Sequence, residues 1–147
     1  MKMYLRLAIA LVVSLMLMFA LSYTQTRTWS HLLPNLSNFY ISLTMIGSMG
    51  LVMLIVMWPM FSNKRANVAL LAGFTVLLAG AFTMARTETF VDDEAFLKSM
   101  IPHHSRAVLV CQESQLSDPE VVALCDQIVE SQLQEIAQMQ DILDRMG

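Results

Sequence analysis

Three apolar stretches without a charged side chain, Leu7 to Tyr23, Phe39 to Trp58 and Val68 to Ala85, constrain this chain more than any other feature. Each is about 17 to 20 residues, which as helix measures about 26 to 30 Å, enough for the hydrocarbon layer of a bilayer with modest tilt. The pattern predicts three transmembrane helices. Their hydroxyl residues, Ser14, Ser42, Thr44, Ser48 and Thr75, can return hydrogen bonds to their own helical turns, so no polar group need face lipid unpaired.

Charge divides the chain at the end of the third stretch. Residues 1–87 carry six basic side chains and no acidic one, whereas residues 88–147 carry three basic and all twelve acidic ones; the halves are +6 and −9 within a net charge of −3. The apolar fraction of 56% is concentrated in the first half. A single soluble domain, a disordered chain and a nucleic-acid binder all fit this arrangement poorly. The expected division is a three-helix transmembrane anchor over 1–89 and an external helical hairpin over 90–147.

Loop charge sets the expected orientation. With the N-terminus inside, Lys2, Arg6, Lys64 and Arg65 are cytoplasmic, while Arg27 and Arg86 lie outside. That count favours a C-terminal domain that is periplasmic or extracellular to a bacterial inner (cytoplasmic) membrane. A cleaved signal peptide is the competing reading of Leu7 to Ala20, but the bulky run Phe19-Ala20-Leu21-Ser22-Tyr23 offers no small-x-small cleavage site. Tyr23, Trp29, Tyr40 and Trp58 fall near the span ends, where amphipathic rings anchor to headgroups. His31, alone in the outer loop, is expected to be an interfacial polar residue rather than a ligand.

The second stretch repeats Met45, Met49, Met53 and Met57, with Met60 beyond. A four-residue spacing places these thioethers along one flank of a helix. Packing accounts for them, with Gly47 and Gly50 permitting close helix approach; soft sulfur is also able to hold Cu(I) or Ag(I). In the third stretch Ala66, Gly73, Ala79, Gly80 and Ala81 suggest a small-residue contact face.

Beyond Thr89 the apolar residues are interrupted by charge, as in helices at a water boundary. Asp92 is a candidate N-cap, with Asp93 and Glu94 in the first turn. Pro102 must either kink that helix or open a second one. Ser117-Asp118-Pro119-Glu120 reads as a capping box with Ser117 as N-cap. An amphipathic helix then runs to Gly147, antiparallel to the first across a Leu116-to-Asp118 connector. Two helices in about 55 residues bury little surface, so a partner is expected: a second copy forming four helices, the outer ends of the spans, or another envelope protein.

Met100, His103 and His104 lie within one helical turn, and Gln132, Glu135 and Met139 form a strip on the second helix. Imidazole and thioether without a thiolate cluster suit Cu(I), Ag(I) or adjustable copper binding better than structural zinc. Glu135 can orient a histidine through its second ring nitrogen. The alternatives are a polar interface role for the histidines and a core role for Met139. Cys111 and Cys125 are compatible with a disulfide, with reduced thiols, or with metal ligation.

The run Phe96-Leu97-Lys98-Ser99-Met100-Ile101-Pro102-His103-His104, followed by Ala107, Asp118-Pro119-Glu120, Ile128, Gln132, Glu135-Ile136 and Met139, resembles the DUF305 family over roughly residues 90 to 145. The whole chain looks like the family's membrane-anchored branch. The resemblance implies a ferritin-like helical bundle and, as in some relatives, periplasmic copper binding by Met100, His103, His104 and Met139, with Glu135 and Gln132 nearby. Where the family often has a methionine seven residues after the first histidine, this chain has Val110, which has no electron pair to donate. The expected function is that of a membrane-anchored periplasmic protein that binds or buffers a soft metal, copper as Cu(I) or Cu(II), or silver. The alternative is a structural or interaction module of the cell envelope without metal. An enzyme is not expected, because no base stands beside an open ligand position.

Overall fold

Each uncharged stretch becomes one continuous helix. In the computed structural model, which describes residues 2–146, these are α1 (Lys2–Ser22), α2 (Leu36–Val56) and α3 (Lys64–Thr87), followed by α4 (Asp93–Glu113) and α5 (Pro119–Met146). Single 3₁₀ turns occur at Tyr23–Gln25, Trp29–His31 and Trp58–Met60, and no strand occurs among the described residues. Three helices are long and apolar enough to cross a membrane. The expected helix end at Gly147 lies outside the described residues.

The chain divides into two compact units, residues 1–20 with 37–90, and residues 21–36 with 91–147. The loop between α1 and α2 therefore groups with the hairpin.

The first unit is a bundle centred on Leu7, Leu11, Ile46, Leu54 and Phe61. Met49, Met53 and Met57 pack against this core, whereas Met45 is 49% exposed. Most of the methionine stripe thus fills helix contacts. The glycines beside it work as expected: a Cβ on Gly47 would lie 2.9 Å from the Leu78 backbone nitrogen, and one on Gly50 would lie 2.7 Å from the Phe74 ring. On α3 the expectation holds for Ala81 and fails for the two glycines. Gly73 and Gly80 meet nothing within 4 Å, and the packed face instead carries Leu70, Leu71, Phe74 and Leu77, with Ala81 buried. Large side chains provide more contact area there than a small-residue seam would.

Polar groups in this bundle are satisfied internally. Ser42, Thr44, Ser48 and Thr75 each bond a carbonyl one turn back at 2.8 Å. The fully buried Asn67 accepts from Tyr4 Oη at 2.7 Å and donates to the Phe61 carbonyl at 3.2 Å, joining α1 to the start of α3. Asn63 caps α3 through the amides of Arg65 and Ala66. Tyr40 is buried and donates to the Thr89 carbonyl at 2.6 Å, so it is an internal tether rather than the expected headgroup anchor. That bond, with Ser37 Oγ donating to Glu88 at 2.6 Å, holds a turn in which Glu88 and Phe90 both adopt positive φ.

In the second unit α4 and α5 pack against one another. Asp92 caps α4 as expected, accepting from the Ala95 amide at 2.8 Å. Pro102 neither opens nor ends a helix: α4 is assigned as one helix through it. The ring removes the amide that would serve the Lys98 carbonyl, a cost of about 3 kcal/mol, but Leu97, Ile101 and Val108 are buried on the same face and hold the helix together. The start of α5 shifts by one residue from expectation. Asp118, not Ser117, is the N-cap, accepting from the amides of Glu120 at 2.9 Å and Val121 at 3.2 Å. A carboxylate there also complements the helix dipole, which a hydroxyl does less well. The connector runs from Ser114 to Asp118, longer than expected.

Candidate functional site

The hairpin is stapled by a disulfide between Cys111 on α4 and Cys125 on α5, with Cα atoms 5.4 Å apart. Of the three states open to these cysteines, the structure adopts the bonded one, and neither sulfur is a free thiolate donor. Two turns back along α4 from Cys111 lies His104.

Helical phase separates the two adjacent histidines. Leu97, Ile101, His104, Ser105 and Val108 occupy the buried face of α4, while His103 is exposed. The ring centroids are 5.9 Å apart and the ring planes cross at 64°. His104 is 8% exposed and its Nδ1 lies 3.0 Å from Oε2 of Glu135 on α5. The approach misses hydrogen-bond geometry, so Nδ1 is a buried nitrogen without a hydrogen-bond partner. Burial lowers the His104 pKa below its ordinary value; Glu135 opposes that shift and His103 adds to it. The imidazole is therefore biased to the neutral form, which is the form that donates an electron pair to a metal.

Met100 on α4 and Met139 on α5 are half-buried, as are Gln132 and Glu135. Of the five expected site residues, the close polar contact is His104 with Glu135, and His103 adjoins His104 edge to face. Among the described residues, no group of three or more His, Cys, Asp or Glu is arranged to hold a metal ion. Such a site in one chain would therefore rely on thioether sulfur, or on donors from a second copy.

Sequence reasoning missed the surroundings of this pair. Ser105, next to His104, is 0% exposed. Its Oγ accepts the backbone N–H of Arg27 at 2.8 Å and lies 2.8 Å from His31 Nδ1. Arg27 Nε donates to Gln112 Oε1 at 3.0 Å, fastening the same loop to α4 a second time. His31 is thus a buried, bonded residue of the hairpin unit rather than an interfacial one. Burial and the Arg27 charge both lower its pKa, and with the ring neutral the serine hydroxyl can donate to Nδ1. Tyr23, also expected as an anchor, is buried and accepts the Asn35 amide at 3.1 Å, closing the loop on itself. The available signal was the cluster of polar residues from Thr24 to His31 between two apolar stretches, but nothing in their spacing named Ser105 as the partner.

Fold and site together define an all-helical protein in which three long apolar helices precede a disulfide-stapled hairpin carrying a buried histidine–carboxylate pair. The family described as a domain of unknown function, DUF305, matches residues 79–143. An uncharacterized protein of Acanthamoeba polyphaga mimivirus is 31% identical over 112 residues, 75% of this chain and 72% of that protein. The chain belongs to the DUF305 family. No solved structure matches it.

Proposed function

We propose that this chain is a membrane-anchored protein whose hairpin binds or buffers a soft metal ion, copper or silver, on the periplasmic side of a bacterial inner membrane. The supporting observation is the His104–Glu135 pair: a buried imidazole biased to neutrality, with a carboxylate 3.0 Å from Nδ1. In metal-ligating histidines a carboxylate that accepts the N–H of one ring nitrogen fixes ring orientation and raises the basicity of the other. Glu135 stands within reach of that role, and metal binding at Nε2 would complete it by turning the Nδ1–H into line. His104 would then bind through Nε2, and the further donors within one helical turn of the pair are His103 and Met100 on α4 and Met139 on α5, imidazole and thioether that suit copper or silver. The ion is cargo, and no bond of an organic substrate is made or broken. Pairing of two hairpins into four helices would bring a second donor set to the first.

The test is a titration of the intact protein with Cu(I) against a chromophoric competing chelator under conditions that keep the disulfide. Replacing His103, His104 and Met139 together should abolish competition. Glu135→Gln alone should weaken it by about 10- to 100-fold. Unchanged affinity in the triple variant overturns the reading.

A metal-free interaction module is favoured by one different observation. Val121, Val122 and Leu124 at the start of α5 are exposed, Leu124 at 55%, an apolar surface suited to another envelope protein. That reading predicts no stoichiometric metal and loss of partner capture in Leu124→Glu.

A further inference from the structure

The first unit contains an apolar groove of about 340 Å³ whose lining includes Met3, Arg6, Leu7, Met53, Met57 and Met60. We propose that this groove seats an acyl chain of an anionic phospholipid whose phosphate pairs with Arg6. The inference rests on the membrane reading above and does not involve the hairpin.

Charge decides the occupant. Arg6 is exposed, and residues 1–87 contain no acidic side chain to pair with it. The ion pairs among the described residues are Lys98–Glu94 and His104–Glu135, both elsewhere. Tyr4 Oη also contacts the Asn63 carbonyl at 3.2 Å, which brings the first turns of α1 and α3 together. Lys2, Arg6, Lys64 and Arg65 therefore gather at one end of the bundle, where they attract anionic headgroups. Below them the groove offers aliphatic carbon and thioether sulfur, a lining that suits a hydrocarbon chain. The four cations disfavour the rival occupant of a methionine-lined cavity, a soft cation such as Ag(I), because a like charge at its rim raises the cost of placing another there.

The experiment uses the full chain reconstituted into phosphatidylcholine vesicles with or without phosphatidylglycerol, floated, re-extracted in mild detergent and examined by native mass spectrometry. Retention of one phosphatidylglycerol per chain is expected, with no comparable phosphatidylcholine adduct. Arg6→Gln should lower the retained fraction about fivefold, the effect of one basic residue near a charged surface. Lys64→Gln should lower it less, and Met60→Trp, at an exposed lining position, should abolish it by filling the groove.

Equal losses in Arg6→Gln and Lys64→Gln would reduce the effect to general surface attraction and overturn the site. Ag(I)-induced shifts of the Met53, Met57 and Met60 methyl resonances, with no lipid retained, would overturn it in favour of a thioether metal site. A chain that floats but retains no phosphatidylglycerol overturns this inference alone. A chain that does not float overturns the membrane reading and this inference with it.

Discussion

Ser105 and His31, 74 positions apart in the sequence, meet at 2.8 Å around a hydroxyl with no exposed surface. The same oxygen accepts the Arg27 amide, so one serine holds the loop between α1 and α2 onto α4 through two separate bonds. That serine directly follows the histidine of the candidate site, and the loop's attachment is therefore tied to the helical turn that positions His104.

Ser105→Ala should destabilise the second unit by about 2 kcal/mol, because it strands an imidazole nitrogen and a backbone amide with little access to water. Hydrogen exchange should show the loss first in residues 21–36. An unchanged exchange pattern would mean that the loop is held by other contacts.

Acid should loosen the same loop. The His31 pKa in the folded protein lies below its ordinary value of 6.5, so the unfolded chain binds more protons and stability rises with pH. This contribution is fully present above pH 6.5 and is lost as pH falls from there through the lower folded value. His31→Gln should flatten that part of a stability profile measured from pH 8 to pH 5. His104 shifts in the same direction, so some slope should persist in the variant.

Reduction of Cys111–Cys125, separated by 14 positions, should cost about 3 kcal/mol from the freed loop entropy. Protection of α4 and α5 amides should fall on adding reductant, while α1 to α3 stay protected. A hairpin with equal protection in both states would show that α4–α5 packing is sufficient alone.

One glycine of α2 and two of α3 should behave oppositely. Gly47→Ala places a methyl 2.9 Å from a backbone nitrogen, an overlap that can be relieved only by moving a helix, at about 1 to 3 kcal/mol. Gly73→Ala and Gly80→Ala enter open space and should be neutral or stabilising by up to about 1 kcal/mol, since alanine is the better helix former. Unfolding in a graded detergent mixture would compare all three.

The parts legible in the sequence are those governed by local chemistry. Uncharged runs of helical length became α1, α2 and α3, and Asp92 capped α4 where its position relative to the first turn required. Gly47 and Gly50 marked a close approach because a missing Cβ lets a neighbouring backbone or ring come near, although Gly73 and Gly80 in the equally apolar α3 mark none. Where two local rules competed, the outcome was less secure. The capping-box pattern named Ser117 as N-cap, and the neighbouring Asp118 carboxylate takes that place instead. Pro102 carries a breaking signal that local reasoning cannot weigh against burial of Leu97, Ile101 and Val108 on one face.

At the candidate site, the histidines and Glu135 were identifiable from ligand type and helical spacing, but their division of roles was not. His103 and His104 are equivalent on paper; packing of α4 on α5 buries one, exposes the other and brings Glu135 to the buried ring. The sequence by itself determined which segments are helical, that α4 begins after Asp92 and which residues have metal-donor chemistry, since these depend on neighbours within a turn or two. Only the tertiary structure decided which face of α3 packs, that Cys111 and Cys125 join, and that His31 belongs with Ser105. Those outcomes depend on contacts between residues far apart in the chain, and their free energy arises only when whole helices pack against one another.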